Sequence, residues 1–324
     1  MPHVDRRTMS LLSLSAILSP GRAFASDLFP SRPIHVIVGF TPGAAADISA
    51  RVFAESAGPL LGQQIVVENK PGAGSSIAAA YVARAAKDGY TVFLVTVSII
   101  TNQLINPNKN IDIMKDFAPV ALLDAGPIIL VVNPTSEVHS VAELIVLAKS
   151  NPGKVLDAET IGSLGHFSAE LFAQHAGITL TLVPYPGSPQ AIMDVIAGRA
   201  TMTFSPSSTV VGQVAAGKLR ALATAANKRV NVLPDVPTMA EAGMSDFDTS
   251  IWFGLFAPAG TPRPVIDKIA DAAHKAMSTP KALDTLRKQG YEPLNGGPDE
   301  FGAFIRSETA RWSEVARKAG LLKN

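Results

Sequence analysis

The chain has 324 residues, 47% hydrophobic and 17% charged, with a formal net charge of +1. That composition excludes a disordered chain, and so small a charge gives no electrostatic footprint for nucleic acid. No apolar run reaches the ~18 residues of a membrane span, and with no cysteine the core must hold the fold without disulfides.

In chain order, Arg6-Arg7 is a short basic region, Met9 to Leu18 a short apolar, serine-rich stretch, and Ala23-Phe24-Ala25 a small-x-small cleavage pattern. These are the parts of a signal peptide, residues 1–25, cut after Ala25. The expected location is periplasmic, with general secretory and twin-arginine export both open. Cleavage takes the net charge from +1 to about −1, since Arg6, Arg7 and Arg22 leave with only Asp5.

Ile34 to Phe40 is a nearly unbroken apolar run, the pattern of a parallel strand covered on both faces. Thr41-Pro42-Gly43 turns the chain, and Ala44 to Leu61 reads as a helix. The start of such a helix carries free N–H groups that favour an anion. Small residues at Gly43, Ala44, Ala45 and Ala46 let a ligand approach the backbone closely. An ordinary strand–turn–helix that binds nothing reads the same way.

The alternation continues with strand Gln64–Asn69, helix Ser75–Ala86 and strand Tyr90–Val97, followed by a polar loop Thr96–Asn102. β-α-β-α-β order predicts an α/β sheet with right-handed crossovers and a ligand at its carboxyl edge. Strands Asp116–Leu123 and Ile128–Asn133 follow, separated by Asp124 to Pro127. Ser140 and Glu143 form a capping box for helix Val141–Ser150. A second α/β series then runs from Val155: strand Val155–Glu159, helix His166–Ala176, strand Thr181–Pro184, helix Gln190–Ala197, strand Thr201–Phe204, loop Ser205–Ser208, helix Thr209–Ala216 and strand Leu219–Thr224. Strand Ile251–Pro258 and helices Pro264–Met277, Lys281–Gln289 and Pro298–Gly320 complete the chain.

There is no G-x-S-x-G elbow, H-E-x-x-H, P-loop or G-x-G-x-x-G. The six histidines are scattered without metal-ligand spacing, so neither a metal nor a cofactor is expected. Ser163 and His166 could serve as nucleophile and base of a hydrolase, but no orienting acid accompanies them. What recurs is a loop of small and hydroxylic residues before a helix: Thr41–Ala46, Pro71–Ser76, Gly162–His166 and Ser205–Ser208. Each alone reads as helix capping. Together, at strand ends of two domains, they could hold a carboxylate without arginine.

The sequence resembles the Bug receptor family, the extracytoplasmic solute receptors of tripartite tricarboxylate transporters. The resemblance rests on Pro30 to Ile34, Val66-Val67-Glu68-Asn69-Lys70-Pro71-Gly72-Ala73-Gly74, Asp88-Gly89-Tyr90-Thr91, Lys115 to Val120, Gly162-Ser163-x-x-His166 with Glu170-Leu171-Phe172, and Val183-Pro184-Tyr185. It continues through Gly217 to Ala223, Leu233 to Thr238 and Trp252-Phe253-Gly254-Leu255, covering nearly all of the mature chain in order.

The resemblance implies an α/β periplasmic-binding-protein type II fold, two α/β domains joined by crossing strands with a ligand cleft between them. Residues 26–124 and 253–324 would form domain 1, and 125–252 domain 2. Ligand contacts carried over from the family are Phe40, Thr41, Gly43, Ala45, Ala46, Asp47, Ala73, Thr96 and Ser98 in the first domain. In the second they are Ser163, Gly165, His166, Ser205, Pro206 and Ser208. The implied partners are a small carboxylate and the transporter's membrane subunits, with the receptor a monomer. A sensor subunit presenting its ligand to a membrane kinase is the alternative within binding proteins. Two departures bear on the ligand. The family's opening loop commonly reads P-G-G-G-x-D, where this chain has Pro42-Gly43-Ala44-Ala45-Ala46-Asp47. The acid that often follows the position of Phe204 is Ser205 here, which favours a plain mono- or dicarboxylate over an amino acid.

Overall fold

The first buried strand, β1 (Ile34–Val38), feeds helix α1 (Ala45–Leu61), and the chain returns as β2 (Ile65–Asn69) parallel to β1. The computed structural model describes residues 29–105, 111–245, 247–318 and 320–322. The expected signal peptide and its cleavage after Ala25 lie outside the described residues. Gly62, left-handed at φ 67°, stops α1. After β2 a short 3-10 turn at Ala73–Ser75 leads into α2 (Ser76–Ala83), and β3 (Thr91–Thr96) pairs with the other side of β1, again parallel.

The stretch expected as a polar loop after β3 is a helix, α3 (Ser98–Ile105). Its hydroxyl and amide groups suggested a loop, but Val97, Ile99 and Ile100 are buried and carry this turn into the core. After the short α4 (Ile113–Asp116), β4 (Phe117–Gly126) runs through the expected break at Asp124. Only Pro127 separates it from β5 (Ile128–Val132), which belongs to a different sheet.

That second sheet is built from α5 (Val141–Ser150), β6 (Leu156–Glu159), α6 (Leu164–Ala176), β7 (Thr181–Pro184), α7 (Ser188–Ile196), β8 (Met202–Pro206), α8 (Ser207–Ala215) and β9 (Arg220–Thr224). Its strand order is β7-β6-β8-β5-β9. Ser140 Oγ accepts the Glu143 N–H at 3.2 Å, as the capping box predicts, while the Glu143 carboxylate reaches back to His139 N–H instead of Ser140. Ser205 and Pro206 are the last residues of β8, not a loop, because the strand extends to pair with Ile128 and Ile129.

The chain returns to the first sheet as β10 (Ile251–Pro258), buried along its whole length and antiparallel to both β3 and β4. It is followed by α9 (Arg263–Met277), α10 (Pro280–Lys288), β11 (Glu292–Gly296) and α11 (Pro298–Lys318). The sheet order is β11-β4-β10-β3-β1-β2. Its antiparallel strands cover the first-sheet core with α1, α9 and α11, where Trp312, Phe301 and Phe256 are fully buried.

The two crossings lie side by side. Ile251 pairs with Gly126, and Ala225 N–H donates to Ile128 carbonyl at 2.8 Å. Beside them α8 is fastened to the segment before β11: Ser207 Oγ donates to Gln289 carbonyl at 2.7 Å, and Ser208 Oγ to Tyr291 Oη at 3.1 Å. Gly126 is required there, since a Cβ would lie 2.0 Å from the Tyr291 ring.

Candidate functional site

Two strand ends of the first sheet and two of the second border a cavity of about 440 Å³, counting the open space at its mouth. The first sheet contributes Phe40, Ala44, Ala45 and Ala46 at the start of α1, and Thr96 and Ser98 between β3 and α3. The second contributes Glu159, Thr160, Ser163, Leu164 and Gly165 from the β6–α6 junction, Ser188 from α7, and Phe204 and Pro206 from β8. Ile128 and Ile251 close the floor at the crossings.

The start of α1 has no side-chain cap. Its first-turn residues line the cavity, so the positive end of a 17-residue helix faces the space. The loop before it is held from behind. Asp47 Oδ2 accepts Gly43 N–H at 3.0 Å and Arg51 Nε at 2.9 Å; Oδ1 accepts Arg51 Nη2 at 2.9 Å and Asn69 Nδ2 at 3.0 Å. Burial raises the Asp47 pKa, and these bonds outweigh that and leave it below the usual carboxylate range.

Facing it, α6 begins with Ser163 in an extended conformation, its Oγ accepting His166 N–H at 3.2 Å. The Leu164 N–H donates to Ser98 Oγ at 3.1 Å, a hydrogen bond that spans the cleft. The walls approach closely elsewhere too. A Cβ on Gly162 would lie 2.4 Å from Asn102 Oδ1, and one on Gly187 would lie 1.9 Å from Thr41 Oγ1. These contacts describe a closed cleft.

Of the residues expected from the sequence, Phe40, Ala45, Ala46, Thr96, Ser98, Ser163, Gly165 and Pro206 line the cavity. Thr41, Gly43, Asp47, Ala73, His166, Ser205 and Ser208 stand outside that lining. Thr41 packs against Gly187, while Gly43 and Asp47 brace the loop. Ala73 borders an adjoining hollow of about 670 Å³ that shares Phe40 and Thr160 with the cavity. Ser205 Oγ lies 3.0 Å from Thr203 Oγ1, and Ser208 is spent on Tyr291. His166 Nδ1 accepts Gly162 N–H at 3.3 Å and its Nε2 is 3.7 Å from Glu170, so its ring is not paired with the Ser163 hydroxyl as a nucleophile–base arrangement requires.

Sequence reasoning missed Ile128, Glu159, Thr160, Ser188, Phe204 and Ile251 as lining residues, while Ala44 and Leu164 fall inside the loops it singled out. Glu159 matters most, because among the described residues it is the one ionisable residue in the lining. It is 4% exposed, and its Oε1 accepts Phe204 N–H at 2.7 Å and Thr203 Oγ1 at 3.1 Å. Burial pushes its pKa well up, and the neighbouring Asp157 carboxyl adds to that; the Phe204, Thr203 and Ser163 donors pull the other way. Asp157, also buried, is raised by burial and then by Glu170. Among the described residues no lysine, arginine or histidine lines the cavity, so a bound anion would be met by backbone N–H groups and hydroxyls. Among the described residues there is no cluster of side chains suited to a metal ion.

Residues 49–321 match the family model described as the tripartite tricarboxylate transporter family receptor. Among solved structures, the chain is similar to the periplasmic binding protein BugD, with a TM-score of 0.88 and 32% identity, covering 91% of this chain and 100% of that one. It is similar to R. palustris Rpa4515 with adipate, with a TM-score of 0.87 and 35% identity over 90% and 98% of the two chains. It is also similar to MatC from Rhodopseudomonas palustris with bound malate, with a TM-score of 0.85 and 31% identity over 89% and 99%.

Proposed function

Because the chain belongs to the tripartite tricarboxylate transporter receptor family, and is thus a solute-binding receptor, we propose that it captures a small organic carboxylate in the cleft and delivers it to the membrane subunits of such a transporter. The observation that carries this reading is the cavity itself. It lies between two sheets and is lined by the uncapped start of α1, five hydroxyl side chains and, among the described residues, no cation. Adipate and malate, held by two related structures, are both small carboxylates.

In this reading the receptor is a periplasmic monomer, exported by residues 1–25 and beginning at Ser26 after cleavage; N-terminal sequencing of periplasmic material tests that. Residues 26–124 with 253–324, and residues 125–252, act as two lobes that move about the crossings at residues 123–128 and 250–253. The residues that line the cavity touch the ligand, while Thr41, Gly43 and Asp47 shape the loop that presents the α1 start. A thermal-shift screen against organic acids tests the function. A ligand at 100 times its dissociation constant stabilises by about 2.7 kcal/mol, so at least one small carboxylate should raise the melting temperature by several degrees. A panel of mono-, di- and tricarboxylates that leaves the melting temperature unmoved would sink the reading.

A further inference from the structure

Glu159 poses a problem for an anion receptor. A carboxyl group stands in the wall of a cavity that, among the described residues, has no cation to balance it. Its surroundings add negative charge. On its own strand Asp157 lies two residues away on the same face, fully buried. From α6 come Glu170, which acts on Asp157, and His166, 3.7 Å from Glu170. His175 on the same helix packs its ring against Phe247. From α7 comes Asp194, bound to Arg199 and Tyr185. The strands on either side, β7 and β8, carry no charged side chain. Across the cleft, Asp47 is turned away into its bonds with Arg51 and Asn69. An ionised Glu159 here would repel any carboxylate brought beside it.

The hydrogen bonds show a different use. Phe204 N–H and Thr203 Oγ1 converge on Oε1, as they would on the carbonyl oxygen of a neutral acid, and the Ser163 hydroxyl at the start of α6 is a third hydrogen-bond partner of the same carboxyl group. Oε2 is the other oxygen, and it reaches the wall because Gly165 has no side chain; a Cβ there would lie 2.3 Å from it. A carboxylic acid O–H donating to a carboxylate makes a short, charge-assisted hydrogen bond.

We propose that Glu159 selects the ligand: kept as the neutral acid, its carboxyl group donates its O–H to a carboxylate of the bound ligand. This rests on the carboxylate-receptor reading above and deepens it. The cavity then discriminates by protonation, accepting an anion beside an acid without any cation, and disfavouring a ligand whose nearest group is an ammonium. Such a ligand would need Glu159 ionised next to Asp157. The proton also couples to binding, because the ligand's negative charge further favours the acid form of Glu159.

The test compares wild type, Glu159→Gln and Glu159→Met by calorimetric titration with adipate, malate and L-aspartate, with a melting curve for each protein. Gln keeps a donor at the Oε2 position and should bind the preferred dicarboxylate within a few-fold of wild type. Met keeps the bulk without a donor and should lose roughly ten- to a hundredfold. Wild-type affinity should not rise between about pH 6 and about pH 9, where the ligand carboxylates are already ionised; this arm needs no variant to fold. A folded Met variant that binds as wild type would make Glu159 purely structural and overturn the proposal. So would L-aspartate binding that strengthens with pH and disappears in the Gln variant, since Glu159 would then be an ammonium partner. If no carboxylate binds wild type at any pH, it is the receptor reading that fails, and this inference with it.

Discussion

Asp124 is buried at 0% exposure where β4 leaves the first sheet. Its Oδ2 accepts the Ser49 hydroxyl at 2.6 Å, while Oδ1 is buried with no hydrogen-bond partner among the described residues. Burial, only partly opposed by the Ser49 bond, pushes its pKa up to about 7. In the unfolded chain an aspartate ionises near ~3.9. The folded state therefore holds its proton more tightly. The associated stability is complete below about pH 4, is lost as pH rises from about 4 to about 7, and stays lost above that. Asp124→Asn keeps an acceptor for Ser49 and has no charge to bury. Its stability relative to wild type should climb across that window and level off at a gain of up to about 4 kcal/mol. Denaturant melts of both proteins at about pH 5 and about pH 8 measure it. An equal gap at the two pH values would mean that Asp124 does not titrate there.

At the scale of elements, the β6–α6 junction shows what a sequence displays and what it conceals. The Gly162–His166 loop was legible because Gly and Ser before an apolar-periodic run are a helix-start signal, and Ser163 does cap α6. Glu159 was not, because an acid at a strand end reads as solvent-facing; only the alternation Leu156-Asp157-Ala158-Glu159, with both acids on one face, hinted at a common burial. The opening β1–α1 unit and the buried β10 stood out by their apolar runs. By contrast β11 was invisible: Glu292-Pro293-Leu294-Asn295-Gly296 is an edge strand, where proline is tolerated and pairing is short. Ser163 Oγ accepts His166 N–H while its own proton remains available to Glu159 or the ligand. Ser163→Ala should therefore cost about 1 kcal/mol of stability through the lost cap and roughly tenfold in carboxylate affinity through the lost donor. A lowered melting temperature with wild-type affinity would leave Ser163 as a cap alone.

For the whole molecule, the decisive geometry is how the two lobes meet. Thr41 belongs to the loop before α1 and Gly187 to the start of α7, and they touch only because the cleft is closed. Gly187 has φ −173°, an extended backbone that alanine adopts without strain, so Gly187→Ala tests space and nothing else. Its Cβ would lie 1.9 Å from Thr41 Oγ1 and 3.1 Å from Thr41 Cβ. Opening the cleft relieves that clash, and within its own lobe the Cβ meets only the flexible end of Gln190, whose Oε1 would lie 3.2 Å away. Overpacking of this kind costs about 1–3 kcal/mol, here charged to the closed form alone. If the ligand binds by stabilising closure, its affinity should fall by roughly five- to a hundredfold, because a binding-competent state that is less populated lowers apparent affinity in proportion. Thr41→Ala in the same chain removes the hydroxyl at the clash and should restore most of the loss. Small-angle scattering supplies the shape: unliganded Gly187→Ala should be more expanded than wild type, and saturating ligand should bring the two together. A Gly187→Ala protein with wild-type affinity and a wild-type scattering profile would show that the two walls do not close on each other as the ligand binds.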